Sequence, residues 1–175
     1  MRVSDPLILS AILMATALLM VLAWVFRAWP IISASGGRSA AGVRKWIPAV
    51  TMFAAIMAFS TAYFSAANTF DLLAAPIRLF APAASHQLLS NFNLIARRGA
   101  HLSIYGLFFL IVCNGPLRRH RFVALGLCLA VAVIDEFHQS LIPERTGLVS
   151  DVVFDFAGAF IANLADLAVR GIMRT

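Results

Sequence analysis

The chain has 175 residues, 61% of them hydrophobic and 13% charged, with a mean hydropathy of +0.87 and a formal net charge of +6. Soluble domains carry about 25% charged residues, so these values exclude an ordinary water-soluble domain and predict an integral membrane protein with enough chain for one compact bundle. The positive charge sits in short arginine clusters between apolar runs, where it sets topology; nucleic acid is therefore not an expected partner, and the lipid bilayer is. Cys113 and Cys128 lie in apolar segments and read as small buried hydrophobes, without the spacing of a disulfide framework or a metal knuckle.

A spanning helix needs about 20 mostly apolar residues. Residues 6–26 supply the first, with Trp24 and Trp29 suited to an interface. The apolar run is too long, and Arg2 against Asp5 too weakly basic, for a cleaved signal peptide. Residues 33–45 are Gly/Ser-rich and basic, a loop. Residues 46–66 form a second span ending in the polar run Ser60-Thr61-Ala62-Tyr63-Phe64-Ser65. Residues 68–93 are moderately apolar, hold Asp71, Arg78 and His86, and are broken by Pro76 and Pro82. Because proline interrupts backbone bonding, two short interfacial helices are expected there. Residues 100–112, continuing from Arg97-Arg98, make a third span, 122–141 a fourth and 149–169 a fifth, with a basic turn at 116–121. The predicted fold is an all-α membrane protein, a bundle of about five transmembrane helices with a short interfacial helical segment. No internal repeat is evident.

Counting Lys and Arg by side gives Arg27, Arg38, Arg44, Lys45, Arg118, Arg119, Arg121, Arg170 and Arg174 against Arg2, Arg78, Arg97, Arg98 and Arg145. The richer side is expected to be cytoplasmic, which puts the N-terminus outside and the C-terminus inside. Five spans also place the start of the third, the end of the fourth and the start of the fifth on one membrane face, extracytoplasmic by that count.

That face carries the chemistry. The fourth apolar run ends in Asp135-Glu136-Phe137-His138-Gln139, followed by Pro143-Glu144-Arg145-Thr146, Ser150-Asp151 and Asp155. Ionisable groups in such places face a bundle interior or a wet cavity and mark functional sites. Helical spacing puts Arg97, Arg98, His101 and Tyr105 on one stripe, continued by Phe108 and Val112. It groups Asp135, Glu136, His138 and Gln139, turns Ile134, Phe137 and Leu141 elsewhere, and aligns Asp151, Asp155, Gly158 and Ala162. The small residues of this last stripe invite close approach by a neighbouring helix. Lipid offers the three polar half-stripes no partners, so they are expected to meet.

Several chemistries fit. His101, Asp135 and Arg145 can form a purely structural network; Asp166, near the other end, reads as structural, and His86 and His120 as solvated interface residues. Asp135-x-x-His138 has the acid-to-histidine spacing of bundle metal sites, and His101 and Asp151 would complete four ligands for zinc or a similar ion. His101 or His138 can serve as a general base oriented by a carboxylate such as Asp135, with Ser150 a weak nucleophile. Arg98 and Arg145 can clamp a phosphate or carboxylate while Asp135 and Glu136 read hydroxyls or an amine. A transporter is disfavoured because no polar track crosses to the other face. No cofactor is assigned.

The pattern Arg98-x-x-His101-x-x-x-Tyr105, then Asp135-Glu136-x-His138-Gln139-x-x-x-Pro143-x-Arg145-x-x-x-x-Ser150-Asp151-x-x-x-Asp155-x-x-Gly158, resembles the VanZ-like family, named for a teicoplanin-resistance protein. The likeness runs over about 46–169 and includes the polar run 60–65. Glu144 stands where a Gly is common, Asp155 where an Asn is frequent and Ala162 where a later Gly is frequent. The likeness divides the chain into 1–45, an added helix and basic loop, and 46–175, a four-helix membrane domain. It implies a small protein of the bacterial cytoplasmic membrane with a motif-lined site, some family members lowering susceptibility to glycopeptides.

The residues and the likeness together point to an outward polar pocket that binds an anionic cell-envelope ligand: a polyprenyl-phosphate lipid, a peptidoglycan precursor or a related glycopeptide target. Its expected lining is Arg98, His101, Tyr105, Asp135, Glu136, His138, Gln139, Arg145, Ser150, Asp151 and Asp155. The rival expectation is an intramembrane hydrolase or transferase, metal- or His-dependent, working on lipid-linked cell-envelope substrates through His101, Asp135 and His138.

Overall fold

The computed structural model describes residues 40–173; the first expected span, 6–26, and its loop up to residue 39 lie outside the described residues. The described chain is helical, without a strand: α1 (Ala40–Arg44), α2 (Ile47–Phe59), a 3-10 turn (Ala62–Phe64), α3 (Ala66–Phe80), α4 (His86–Asn114), α5 (Arg121–Ser140) and α6 (Val149–Ile172). Four segments are long and apolar enough to cross a bilayer, Gly42–Phe59, His86–Asn114, Arg121–Ser140 and Val149–Ile172. They follow the second to fifth expected spans, and the protein is an all-α, multi-pass membrane protein. Its outer faces are apolar: Phe80, Phe122 and Val149 are more than four-fifths exposed, as suits side chains whose solvent is lipid.

Besides α1, which forms within the stretch 33–45 expected to be a loop, two boundaries depart from the sequence expectation. α2 ends at Phe59 rather than near residue 66, because the polar run turns the chain. Thr61 Oγ1 bonds back to the Ala58 carbonyl at 2.7 Å, and Ser65 caps α3 by accepting from the Asn68 N–H at 3.4 Å. Short hydroxyl side chains offer the backbone just such alternatives to continued helix.

The second departure concerns 68–93, which does not fold as two short helices. α3 runs through Pro76, which costs it a backbone bond without ending it. Pro82, in the connection after α3, marks the break. Residues from His86 onward belong to α4, capped by Ser85, whose hydroxyl accepts from the Leu88 N–H at 3.3 Å. With 29 residues, α4 rises about 43 Å and outruns a hydrocarbon core of about 30 Å. Its first turns therefore serve the purpose expected of a separate interfacial helix. Buried Asn93 ties them to α3, donating to the Ala66 carbonyl at 3.3 Å.

The core gathers Met52 and Ile56 of α2, Tyr105, Phe109, Val112 and Cys113 of α4, Ala124, Cys128 and Ala132 of α5, and Ala159 of α6. Both cysteines are buried and unbonded, as expected. α4 and α6 form the most extensive pairing. They cross in near backbone contact: a Cβ on Gly158 would lie 2.1 Å from the Leu102 carbonyl oxygen, and one on Gly106 would lie 3.1 Å from that of Gly158. The small residues of the α6 stripe thus fix α4 at a distance no larger side chain permits. Because Asp155 stands one turn before Gly158 and His101 adjoins Leu102, this crossing decides which polar groups meet.

Candidate functional site

The polar groups assemble where the last turns of α5 and the first turns of α6 face the middle of α4. Asp135 lies five residues from the end of α5, and Asp155 six from the start of α6, so the cluster is about 8–9 Å inside the α5–α6 connection. Asp135, Glu136, Gln139 and Tyr105 are all buried. Tyr105 donates its phenol to Asp135 Oδ2 at 3.0 Å. Gln139 Nε2 donates to Asp135 Oδ1 at 3.1 Å and to Glu136 Oε1 at 3.2 Å, and the Leu148 N–H donates to Glu136 Oε2 at 3.0 Å. Gly147 makes the last bond feasible, since any Cβ there would meet the Glu136 carbonyl oxygen at 2.3 Å.

Across from this group, His101 Nδ1 pairs with Asp155 Oδ1 at 3.1 Å. The imidazole is part-exposed, whereas Asp155 is fully buried and its Oδ2 has no hydrogen-bond partner among the described residues. His101, Asp135, Glu136 and Asp155 each present a ligand-type atom within 4.8 Å of the others. The set expected from sequence was His101, Asp135, His138 and Asp151. Of these, His101 and Asp135 lie in the group, while His138 and Asp151 lie outside it. His138 looks towards α2, its Nδ1 at 2.8 Å from the buried Ser60 hydroxyl. Asp151, half-buried, accepts from exposed Ser150 at 3.3 Å.

The arginines divide in a way their spacing did not foretell. Arg145 is buried with its donors largely committed: Nε and Nη2 to the Thr61 carbonyl at 3.2 and 2.9 Å, Nη2 also to the Phe59 carbonyl, and Nη1 to Gln139 Oε1 at 3.2 Å. It closes the C-terminal end of α2 as a cationic cap. Burial pushes its guanidinium down to about 10, with like-charged Arg97 adding to the drop and Asp135 and Glu136 opposing it. Arg98, placed in the expected lining, is exposed and stands over the Phe154 ring at 4.8 Å. Its neighbour Arg97 turns inward, donating to the Phe64 carbonyl at 2.6 Å and to Thr69 Oγ1 at 3.2 Å. Arg97 was absent from the expected lining, as were Ser60 and Thr69. No interval separates it from Arg98, since both share a helical face with His101 and Tyr105.

Two cavities open on these groups. One, of about 360 Å³, is walled by apolar side chains of α2, α3 and α4, among them Ile56, Phe59, Phe64, Leu72 and Ile104, and is bounded at its polar end by Arg97, His101, Asp135 and Arg145. The other, of about 220 Å³, is polar and lies against the α5–α6 connection, where Arg98, Gln139, Glu144, Asp151 and Asp155 contribute. Arg97, His101 and Arg145 border both.

A second polar cluster occupies the opposite end. Arg121 donates to Asn163 Oδ1 at 2.9 Å and to Asp166 Oδ2 at 2.7 Å; Arg170 donates to the same Asp166 oxygen at 2.8 Å and to Asn114 Oδ1. This cluster ties the end of α4 to the start of α5 and the end of α6, the structural part expected of Asp166.

Comparison with known proteins bears on the whole arrangement. The family model described as VanZ/LLP1 matches residues 9–167, beginning inside the first expected span. No curated protein and no solved structure matches.

Proposed function

We propose, from the premise that the chain belongs to the VanZ/LLP1 family, that this multi-pass membrane protein binds an anionic amphiphile of the cell envelope through an outward-facing site. The observation that carries this reading is the meeting of an apolar and a polar cavity at Arg97, His101 and Arg145. Small-molecule sites are mostly apolar with a few convergent polar groups, and this pair offers a wall for a hydrocarbon chain beside basic groups for its head. A polyprenyl phosphate, a peptidoglycan precursor or a related glycopeptide target has that make-up. An influence on glycopeptide susceptibility belongs to the same proposal, as a consequence of holding such a ligand.

Arg98 gives the cleanest test, because it is exposed and its cation–π contact with Phe154 is worth only about 1 kcal/mol, so its removal should leave the fold intact. Purified protein should bind a polyprenyl phosphate, and Arg98→Ala should weaken binding about tenfold, the worth of a charge-assisted hydrogen bond, without lowering the melting temperature. Equal affinity for the phosphate and for the corresponding free polyprenol would remove the anionic head from the reading.

A second reading rests on His101, whose part-exposed ring is held by buried Asp155 in the manner of a carboxylate-oriented general base. It makes the protein a hydrolase or transferase on the same lipids. Turnover of a lipid phosphate that disappears in His101→Gln, with binding retained, would favour it over simple binding.

A further inference from the structure

Three carboxylates, Asp135, Glu136 and Asp155, are buried together, yet among the described residues no Lys or Arg lies within ion-pair distance of any of them. Among the described residues the one ion-pair contact to them is that of His101 with Asp155, and it carries charge only when the imidazole is protonated. Arg145, the nearest guanidinium bonded into the cluster, spends its donors on backbone carbonyls and on the Gln139 amide oxygen. Three ionised carboxylates in so dry a place are costly without a compensating cation. Asp155 adds a second, separate sign: its Oδ2 is buried with no partner among the described residues, whereas nearly all such atoms are satisfied in folded proteins.

We propose that His101, Asp135, Glu136 and Asp155 bind a divalent first-row transition-metal ion of the Zn2+ or Mn2+ type. One imidazole nitrogen with three carboxylates is a donor set suited to such ions, while Mg2+ and Ca2+ favour oxygen alone. The spacing is close to what coordination requires. His101 Nδ1 and Asp155 Oδ1 are 3.1 Å apart, against about 3.0 Å between neighbouring ligands of an octahedral ion with bonds of about 2.1 Å. The widest separation in the set is 4.8 Å, against about 4.2 Å across such an ion. Side-chain shifts of a few tenths of an ångström close that gap for a six-coordinate ion, while a tetrahedral Zn2+, whose ligands stand about 3.4 Å apart, needs a larger rearrangement.

The surroundings supply what a metal centre needs beyond its ligands. Tyr105 and Gln139 hold Asp135, and Gln139 with the Leu148 N–H holds Glu136, each taking one lone pair of an oxygen and leaving another. The α4–α6 crossing at Gly158 fixes His101 against Asp155. His101 borders both cavities, Asp135 the apolar one and Asp155 the polar one, so an ion has routes in and open positions facing a ligand. Metal uptake would replace the His101–Asp155 hydrogen bond with two bonds to the ion, the Nδ1 proton passing to water from an imidazolium or being carried on Nε2 in a neutral ring. The inference does not depend on the lipid reading, and a protein that holds no lipid phosphate can still satisfy it.

The test uses the full chain in detergent, stripped with EDTA, exposed to Zn2+, Mn2+ or Mg2+ alone, desalted and assayed by elemental analysis and thermal melting. One equivalent of Zn2+ or Mn2+ should be retained and the melting temperature should rise. Asp155→Asn and Glu136→Gln should each lose at least tenfold in affinity, while keeping the metal-free melting transition that shows they fold. Asp151→Asn, His138→Ala and Arg98→Ala should retain the ion. Failure of the wild type to retain either transition metal, a preference for Mg2+, or retention undiminished in both Asp155→Asn and Glu136→Gln would overturn the proposal. Loss of the ion in His138→Ala or Asp151→Asn instead would overturn the ligand set.

Discussion

The two ends of this bundle each draw polar side chains from α4, α5 and α6, and they treat charge in opposite ways. At the Arg121–Asp166–Arg170 end, one carboxylate is shared by two guanidiniums, and the flanking Asn114 and Asn163 each accept one further donor. At the other end three carboxylates are buried with, among the described residues, a single imidazole in ion-pair reach and one carboxylate oxygen without a partner. The first cluster pairs its carboxylate with two guanidiniums and fastens helices. The second is unsaturated and opens on two cavities. Burial of charge alone therefore does not separate a fastening from a binding site; the difference lies in whether the polar atoms satisfy one another.

Four substitutions and one control at Gly126 sharpen that contrast, the largest effect first. Gly158→Leu drives a side chain into the Leu102 carbonyl and should cost more than about 3 kcal/mol, read as loss of folded protein after detergent extraction. Gly126→Ala, where an added Cβ meets nothing within 4 Å, should be neutral or gain up to about 1 kcal/mol. Equal behaviour of the two would remove the α4–α6 crossing as the element that assembles the site.

Arg145→Ala exposes the Phe59 and Thr61 carbonyls and leaves Gln139 Oε1 unpaired. It should cost about 3 kcal/mol by equilibrium unfolding in detergent. A loss of ligand affinity without that loss of stability would show Arg145 to be a ligand clamp rather than a cap. The smallest difference is expected between the two clusters themselves. Asp166→Asn leaves two guanidiniums without an anion and should cost about 2 kcal/mol, with no change in metal retention. Asp155→Asn removes a buried charge while keeping an acceptor for His101, and in metal-free buffer should change stability by less than about 1 kcal/mol. The reverse ranking would make the carboxylate-rich end the fastening.

Much of this was legible in the chain because hydrophobic runs are local. The spans at 122–141 and 149–169 required only length and apolarity, and the helices fall within a residue or three of them. The stripe Tyr105, Phe108, Val112 is buried as its spacing predicts, and Ile134, Phe137 and Leu141 are exposed as theirs does. The expectation failed where neighbours decide. Pro76 is tolerated inside α3, and the stretch after Ser85 joins α4 because packing and capping outweigh the local propensity to break.

The sequence by itself determined the class, the number of described spans and the end of the bundle at which Asp135, Glu136 and Asp155 gather, since each follows from periodicity and from what lipid will not solvate. Only the tertiary structure decided that Arg97 turns in and Arg98 out, that Arg145 caps α2, and that His101 meets Asp155 and Glu136 rather than His138 and Asp151. Adjacent helical positions differ by about 100° of rotation. Which of them faces a partner is set by the depth and angle of a helix crossing, here the backbone contact at Gly158, and no local pattern encodes that.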